Sequence, residues 1–211
     1  MDIGFKDLTG VVFLYYDFSK DKLVFEDEIV LQGKDFHLSK LAHDIVNKEA
    51  ALWKDTITGE AIKPLARASD INYIVTQEMA RATNYKLNFT PAKKDDRNAA
   101  VNQLRELLAS GRIIVHPRCI NLIRHLKNCK WQSSSDKGKF ARSPDDGHYD
   151  LVDASIYSIR EVNFNRNPYP RGFGVSQTVL NQFNWPNGQP STTRPQEHPA
   201  DVYRRIFGRK R

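Results

Sequence analysis

The hydrophobic pattern of this chain changes near residue 33. Before that point, the runs 11–16 and 22–31 are rich in β-branched and aromatic residues, and the polar stretch 17–21 separates them. Such runs predict two strands joined by a turn. With a short first strand at residues 1–3, they predict a three-stranded antiparallel meander.

Helices and strands alternate after residue 33. Apolar residues recur there at helical spacing, and short apolar runs lie between the helical stretches. A meander followed by such alternation predicts an α/β fold, with a mixed sheet flanked by helices on both faces. The predicted helices are 37–54, one after Asp70, one from Asp95 or Asp96 to Gly111, one from Pro117 and 150–162; the predicted strands are 64–68, 85–89 and 113–115, with a hairpin of 130–132 and 139–141.

Composition excludes several classes of protein. The 211 residues, 40% of them hydrophobic and 27% charged, suffice for one domain with a full core. No apolar run is long enough for a membrane span and no signal peptide is visible, so we expect a protein of the cytoplasm. The only cysteines, Cys119 and Cys129, lack the spacing of a disulfide framework or zinc ribbon and are predicted core thiols.

The net charge of +7 is concentrated at the C-terminal end. Residues 166–211 contain eight Arg or Lys against two acids, whereas residues 1–165 contain 24 basic and 23 acidic side chains. Six of the ten prolines also follow Phe164. We therefore predict a domain over 1–165 and an irregular basic extension over 166–211, with a short helix at 200–207. The extension either contacts a polyanion or an acidic protein surface, or its charge only keeps it soluble.

Three aspartates stand where the predicted fold would concentrate them. Asp2 lies in the first strand, Asp70 follows a strand at its junction with a helix, and Asp150 begins the last helix. Strand ends and helix starts meet at one edge of an α/β sheet, where such folds place their sites. The alternatives are solvent exposure for Asp2 and helix capping for Asp70 and Asp150.

Carboxylates gathered in this way suit Mg²⁺ or Mn²⁺ rather than zinc. Two such ions can activate a water molecule and stabilise the leaving oxygen in phosphodiester hydrolysis, so the protein needs no nucleophile motif. Residue types and order thus permit a metal-dependent nuclease.

Four segments carry these acids in a distinctive order. The last segment contains His148, Asp150, Asp153 and Tyr157 and is the most specific. Over about residues 1–162, the order of the segments resembles the C-terminal nuclease domain of the large terminase subunit of tailed bacteriophages. That family's pattern is His-Asp-Asp-x-x-Asp-Ala-x-x-Tyr, and Tyr149 stands here in place of its first Asp. The segments are Asp2-Ile3-Gly4-Phe5-Lys6-Asp7, Arg67-Ala68-Ser69-Asp70, Lys93 to Arg97 with Ser110-Gly111-Arg112-Ile113, and His148 to Tyr157.

The resemblance implies a ribonuclease H-like fold with two metal ions. Asp2 would bridge both ions, Asp70 would complete one site and Asp150 the other, and Asp7 matches an accessory acid. Asp153, one turn after Asp150, is expected to support the ligands. His148 would orient a ligand or a phosphate, or would serve only as a hydrogen-bonding structural residue.

Two departures from the family stand out. Full-length large terminases carry an ATPase, and no phosphate-binding GxxxxGKS or GxxxxGKT loop occurs here. The first acid also follows a single residue, whereas the family's first strand is longer. The expectation is a domain of a larger protein that cannot drive DNA translocation by itself.

Basic side chains near the acids are the predicted DNA contacts, since carboxylates alone would repel the substrate. Each of them could instead be an ordinary solvated charge. The basic hairpin before Asp150 is a better candidate as a group, because it could clamp a duplex beside the site. The predicted DNA-binding residues are Lys6, Lys93, Lys94, Arg97, Lys130, Lys137, Lys139 and Arg142.

The sequence thus predicts a two-metal endonuclease that cuts concatemeric double-stranded viral DNA during genome packaging in the host cell cytoplasm. Its expected partners are the portal protein and the small terminase subunit. A junction resolvase or ribonuclease H of the same fold is an alternative activity. A non-catalytic module that binds DNA or the portal is the alternative class, in which the acids only cap helices.

Overall fold

The computed structural model describes residues 1–2, 8–32, 37–55, 58–70, 73–132, 139–143 and 147–167. Its longest strands, β1 (Leu8–Asp17) and β2 (Lys22–Gln32), pair antiparallel and shift register between Phe13 and Leu14. Val11, Val12 and Phe13 are all buried, since consecutive side chains point to opposite faces and both faces are covered. This explains why β1 is apolar without alternation.

The N-terminal dipeptide Met1–Asp2 joins two sets of strands. The backbone of Asp2 exchanges two 2.9 Å hydrogen bonds with Gly10 of β1, while the Met1 amine donates to the carbonyl of Ala68 at 2.8 Å. The amide of Asp70 donates back to the Met1 carbonyl at 3.3 Å. One set is ordered β1-β2-β5 and the other pairs β3 with β4, where β3 is Ala68–Ser69, β4 is Thr90–Pro91 and β5 is Ile113–Val115.

The pairing confirms the mixed sheet. Asp2, β1 and β2 form the antiparallel meander, whereas β5 runs parallel to β2 and β4 runs parallel to β3. Helices cover both faces. They are α1 (Leu38–Leu52), α2 (Tyr73–Ala82), α3 (Arg97–Ala109), α4 (Ile120–Asn128) and α5 (Asp150–Ile159).

Two hydrophobic clusters pack on opposite faces of β1. Val11 and Phe13 face one cluster with α1 and α2, and Val12 faces the other with α3, α4 and α5. Each cluster contains fully buried side chains, such as Leu41 in the first and Leu151 in the second. Among the helices of the described ranges, none is long and apolar enough to cross a membrane.

Both ends of α3 follow the sequence prediction. The Asp96 carboxylate caps the helix by accepting from the amide of Ala99 at 3.0 Å. At the other end Gly111 adopts a φ of +65°, and the next amide, of Arg112, donates to Leu107 at 2.9 Å. Glycine at this position permits the left-handed turn that ends the helix.

Two predicted strands were wrong. The stretch 64–68 is not a buried strand, because Leu65 is 65% exposed and only Ala68–Ser69 joins the sheet. The stretch 85–89 fails because Asn84 and Tyr85 have φ values of 51° and 58°, which interrupt an extended backbone. The observed strand is Thr90–Pro91.

Other predictions change little or stay open. Helix α5 ends at Ile159 instead of 162, and Cys119 is buried whereas Cys129 is only partly so. The extension from residue 168 onward, with its predicted helix at 200–207, lies outside the described residues. The predicted domain boundary therefore stays a prediction.

Candidate functional site

Asp2, which bridges to Gly10 of β1, and Asp70, which follows β3, lie where the N-terminal dipeptide joins the two sets of strands. Asp70 directly follows β3, and its amide bonds to Met1, the residue before Asp2. The pKa of Asp2 is raised from 3.8 to about 6, mainly by burial and in part by the nearby carboxylates of Asp153 and Asp70. The fold therefore concentrates negative charge around the first acid.

Helix α5 brings a third carboxylate to this place. Burial raises the pKa of Asp153 above its usual range and Asp70 contributes in the same direction, against the opposing effect of Arg97. Asp2, Asp70 and Asp153 are thus electrostatic neighbours. The sequence predicted only a supporting role for Asp153, but the structure places it in this group of acids, which we call the carboxylate cluster.

Asp150, the predicted third ligand, is the first residue of α5. The residue is 7% exposed, and Tyr149 rather than Asp150 occupies the N-cap position. Asp150 and Asp153 are three residues apart and so lie on neighbouring parts of one helical face. Both acids of α5 are candidates for completing a metal site.

Gly10 allows α5 to approach the sheet closely. A Cβ atom at this position would lie 3.0 Å from Cδ2 of Leu151 and 3.3 Å from its backbone nitrogen. A Cβ atom at residue 10 would therefore require the Leu151 side chain or the start of α5 to shift. Sequence reasoning missed Gly10, since a single glycine in a strand does not reveal what packs on it.

Tyr157 is a second functional candidate that sequence reasoning left without a role. Its hydroxyl donates to Oδ2 of Asp70 at 3.0 Å. Burial raises the pKa of Tyr157, and the charges of Asp153, Asp2 and Asp70 add to the shift. The phenol therefore stays protonated and can serve as a fixed donor. Its place four residues after Asp153, on the same helical face, was the available signal.

Two cations at the start of α3 and just before it contact the cluster. Lys94 forms an ion pair with Oδ1 of Asp70, and Nη2 of Arg97 lies 2.6 Å from Oδ1 of Asp153. Lys93 points elsewhere and pairs with Glu161 at 3.2 Å. Of the three predicted DNA-binding residues in this segment, the structure thus places Lys94 and Arg97 on acids of the cluster.

The predicted hairpin is present and packs against α3. Trp131 pairs with Phe140 across the strands, and their rings stack with centroids 4.9 Å apart. The guanidinium carbon of Arg97 lies 4.9 Å from the Phe140 ring centre, and that of Arg105 lies 5.8 Å from Trp131. Arg97 therefore connects the hairpin to Asp153, and the base of the hairpin stands beside the cluster.

The remaining predicted residues fall into two groups. Lys130, Lys139 and Arg142 are exposed on or next to the hairpin, and exposed His148 lies near enough to Asp153 to lower its pKa. Asp7, Lys6 and Lys137 lie outside the described residues. Their predicted roles stay predictions.

The cluster suits a hard divalent cation, because its three carboxylates concentrate negative charge in one place and supply only oxygen ligands. Among the side chains of the described ranges, no three acids, histidines or cysteines form a ready-made metal cage. The acids instead face Lys94, Arg97 and Tyr157.

Comparison with known proteins points to one family. A family profile described as the terminase RNaseH-like domain matches residues 42–161. Among solved structures, the large terminase from a thermophilic bacteriophage superposes with a TM-score of 0.57 at 14% identity, over 76% of this chain and 37% of that chain. The nuclease domain of the phage P22 large terminase superposes with a TM-score of 0.52 at 15% identity, over 75% and 76%.

At these identities, the two structures show a shared fold alone, and the family profile describes that fold as ribonuclease H-like. This chain spans little more than a third of the length of that large terminase chain. No curated protein sequence matches the chain.

Proposed function

Because this chain belongs to the terminase RNaseH-like domain family, we propose that it is the nuclease part of a large terminase and cuts concatemeric double-stranded viral DNA during packaging. The observation that carries the proposal is the carboxylate cluster of Asp2, Asp70 and Asp153 at the junction of two strands and α5. A structural role alone does not favour three half-buried acids at one place, since like charges destabilise one another.

We propose a two-ion site for Mg²⁺ or Mn²⁺ in this cluster. Asp2, Asp70 and an acid of α5, either Asp150 or Asp153, would hold the ions. When bound, such ions supply activation of the attacking water and stabilisation of the leaving oxygen. The neighbouring like charges support this proposal, because a divalent cation would relieve their repulsion.

The chain's own residues would organise this site. Tyr157 orients Asp70 through its hydroxyl, and Arg97 orients Asp153 while it packs on the hairpin. Exposed Lys130, Lys139 and Arg142 would bind backbone phosphates without reading the bases. We further propose that the protein acts in the host cell cytoplasm with the portal protein and the small terminase subunit.

The test is cleavage of supercoiled plasmid by the purified protein with Mn²⁺ or Mg²⁺. We expect Asp70→Asn to abolish nicking and linearisation while the circular dichroism spectrum is retained. Glu106→Gln is the matched control, since it removes an exposed carboxylate from the far half of α3. Cleavage in EDTA, or full activity of Asp70→Asn, would refute the proposal.

Comparing two variants of α5 and three kinds of substrate identifies the metal ligand on α5 and the type of nuclease. Asp150→Asn and Asp153→Asn, each titrated with Mn²⁺ by calorimetry, identify the ligand on α5 by the larger loss of affinity. Duplex, four-way junction and RNA–DNA hybrid substrates separate a packaging nuclease from a junction resolvase or ribonuclease H. Salt-sensitive DNA binding without metal binding or cleavage would instead indicate a non-catalytic module.

A further inference from the structure

We propose that Lys94 is a resident cation of the carboxylate cluster, which a metal ion displaces from Asp70 and which then binds a phosphate of the DNA. Metal binding and DNA binding would thus be coupled through one side chain. This inference rests on the proposed nuclease function and adds a role that a surface lysine near DNA would not have.

Asp70 is engaged from two sides. Its Oδ2 accepts from the Tyr157 hydroxyl at 3.0 Å, and its Oδ1 forms the ion pair with Lys94. The Asp70 side chain is 22% exposed and that of Lys94 is 63% exposed, so the ammonium reaches the acid from the solvent side. The positive charge of Lys94 also lowers the pKa of Asp2, which places it near two acids of the cluster.

The backbone that carries Lys94 is held by the two residues that follow α5. Nη1 of Arg160 donates to the carbonyl of Lys93 at 3.0 Å, and its Nη2 lies 3.0 Å from the carboxylate of Asp95. Lys93 adds its 3.2 Å ion pair with Glu161. Both neighbours of Lys94 are therefore held, and its long side chain can move from a fixed base.

A divalent ion on Asp70 would expel the ammonium, since both cations seek the same oxygen and repel each other. Exposed ion pairs between lysine and carboxylate contribute little, so Lys94 is easily displaced. Arg97 differs, because its side chain is only 28% exposed and its guanidinium also packs on Phe140. Once released, the Lys94 ammonium would lie on the solvent side of the cluster, from which a substrate phosphate must approach.

The experiment compares Lys94→Met with Lys93→Met in the full chain. Both variants remove one exposed lysine from the same segment, but only Lys94 touches the cluster. Calorimetric titration with Mn²⁺ should show about three- to tenfold tighter binding for Lys94→Met than for wild type. Lys93→Met should bind Mn²⁺ as wild type does. Thermal melting checks that both variants are folded.

Salt dependence of DNA binding tests the second half of the proposal. With Ca²⁺ in place of Mn²⁺ to hold back cleavage, the slope of log K against log salt should be steeper for wild type than for Lys94→Met by about 0.9, the value for one phosphate contact. In EDTA the two slopes should agree, since Asp70 then retains Lys94.

Three results would overturn the inference. Equal Mn²⁺ affinity of Lys94→Met and Lys93→Met, or a slope difference that is the same with and without Ca²⁺, contradicts it even if wild type binds metal and cuts DNA. In that case the proposed function stands. Absence of Mn²⁺ binding by wild type would defeat the proposed function and this inference together.

Discussion

The two ends of β3 carry ion pairs of opposite design. Before the strand, Arg67 donates to both carboxylate oxygens of Glu49 on α1 at 2.7 and 2.6 Å, and the two side chains are only 16% and 9% exposed. After the strand, Asp70 shares its oxygens between exposed Lys94 and Tyr157 and lies near other acids. The Arg67–Glu49 pair stabilises the fold, whereas the Lys94–Asp70 pair leaves a carboxylate that a ligand can bind.

The largest change in the free energy of unfolding is expected when the Arg67–Glu49 pair is broken. Glu49→Gln leaves the largely buried Arg67 without its counterion and should lower the free energy of unfolding by about 3–5 kcal/mol. Urea denaturation measures the change, with Glu106→Gln as a control that should stay within about 0.5 kcal/mol of wild type. A loss below about 1 kcal/mol would remove the contrast between the two ends of β3.

The carboxylate cluster should behave in the opposite way. Asp2→Asn removes a charge that the fold disfavours, so it should stabilise the protein by about 1–3 kcal/mol at pH 7.5 without divalent ions. The pKa of Asp2 is raised from 3.8 to about 6 in the folded state. Its contribution to stability is therefore fully present below pH 3.8 and is lost as the pH rises through 6.

Thermal melts between pH 4 and 8 in EDTA check this prediction for Asp2. The stability difference between Asp2→Asn and wild type should shrink towards zero at the acid end of the range. Added Mn²⁺ should raise the melting temperature of wild type more than that of the variant. A variant that is less stable than wild type at neutral pH would show that Asp2 has a purely structural role.

Arg97 connects the cluster to the hairpin, and its replacement should lower the free energy of unfolding by an intermediate amount. Arg97→Met loses the ion pair to Asp153 and the contact with Phe140, with a cost of about 1–2 kcal/mol. Hydrogen exchange should accelerate at the amides of Gln132 and Ala141, which bond across the hairpin at 3.0 and 2.7 Å. Arg105→Met, whose guanidinium is farther from its ring, is the control. Equal exchange in both variants would argue against an anchoring role for Arg97.

The smallest change in stability is expected for Lys94. Lys94→Met removes an exposed cation and should alter the free energy of unfolding by less than about 0.5 kcal/mol. The same urea titration that tests Glu49→Gln measures it, so the two ends of β3 are compared directly. A loss of stability as large as that of Glu49→Gln would mean that the Lys94–Asp70 pair, too, stabilises the fold.

The α/β architecture was predictable because its signals are local. The apolar runs of β1 and β2 and the helical spacing in α3 and α5 depend on neighbouring residues alone. The short strands were not predictable in the same way. Ala68–Ser69 is a strand because Thr90–Pro91 pairs with it from more than 20 residues away. Tyr85 adopts a left-handed backbone that its β-favouring side chain does not suggest.

The site was predictable in part. Asp2 and Asp70 were identified from their positions at strand ends, and the structure brings them together. Asp153 and Tyr157 were seen in the motif, but their positions beside Asp2 and Asp70 were not. Lys94 and Arg97 were predicted to bind DNA, and nothing in their spacing revealed that each would contact a particular acid.

The sequence by itself determined the order of the elements, the acids available to the site and the family to which the chain is similar. Periodicity and motif spacing encode these properties within a few residues of each other. Only the tertiary structure decided that Asp153 lies beside Asp2 and Asp70 and which cations contact these acids. That choice depends on how closely α5 packs on β1 at Gly10 and on the Arg160 contacts that fix the segment before α3. Such contacts join residues far apart in the chain, which local sequence patterns do not specify.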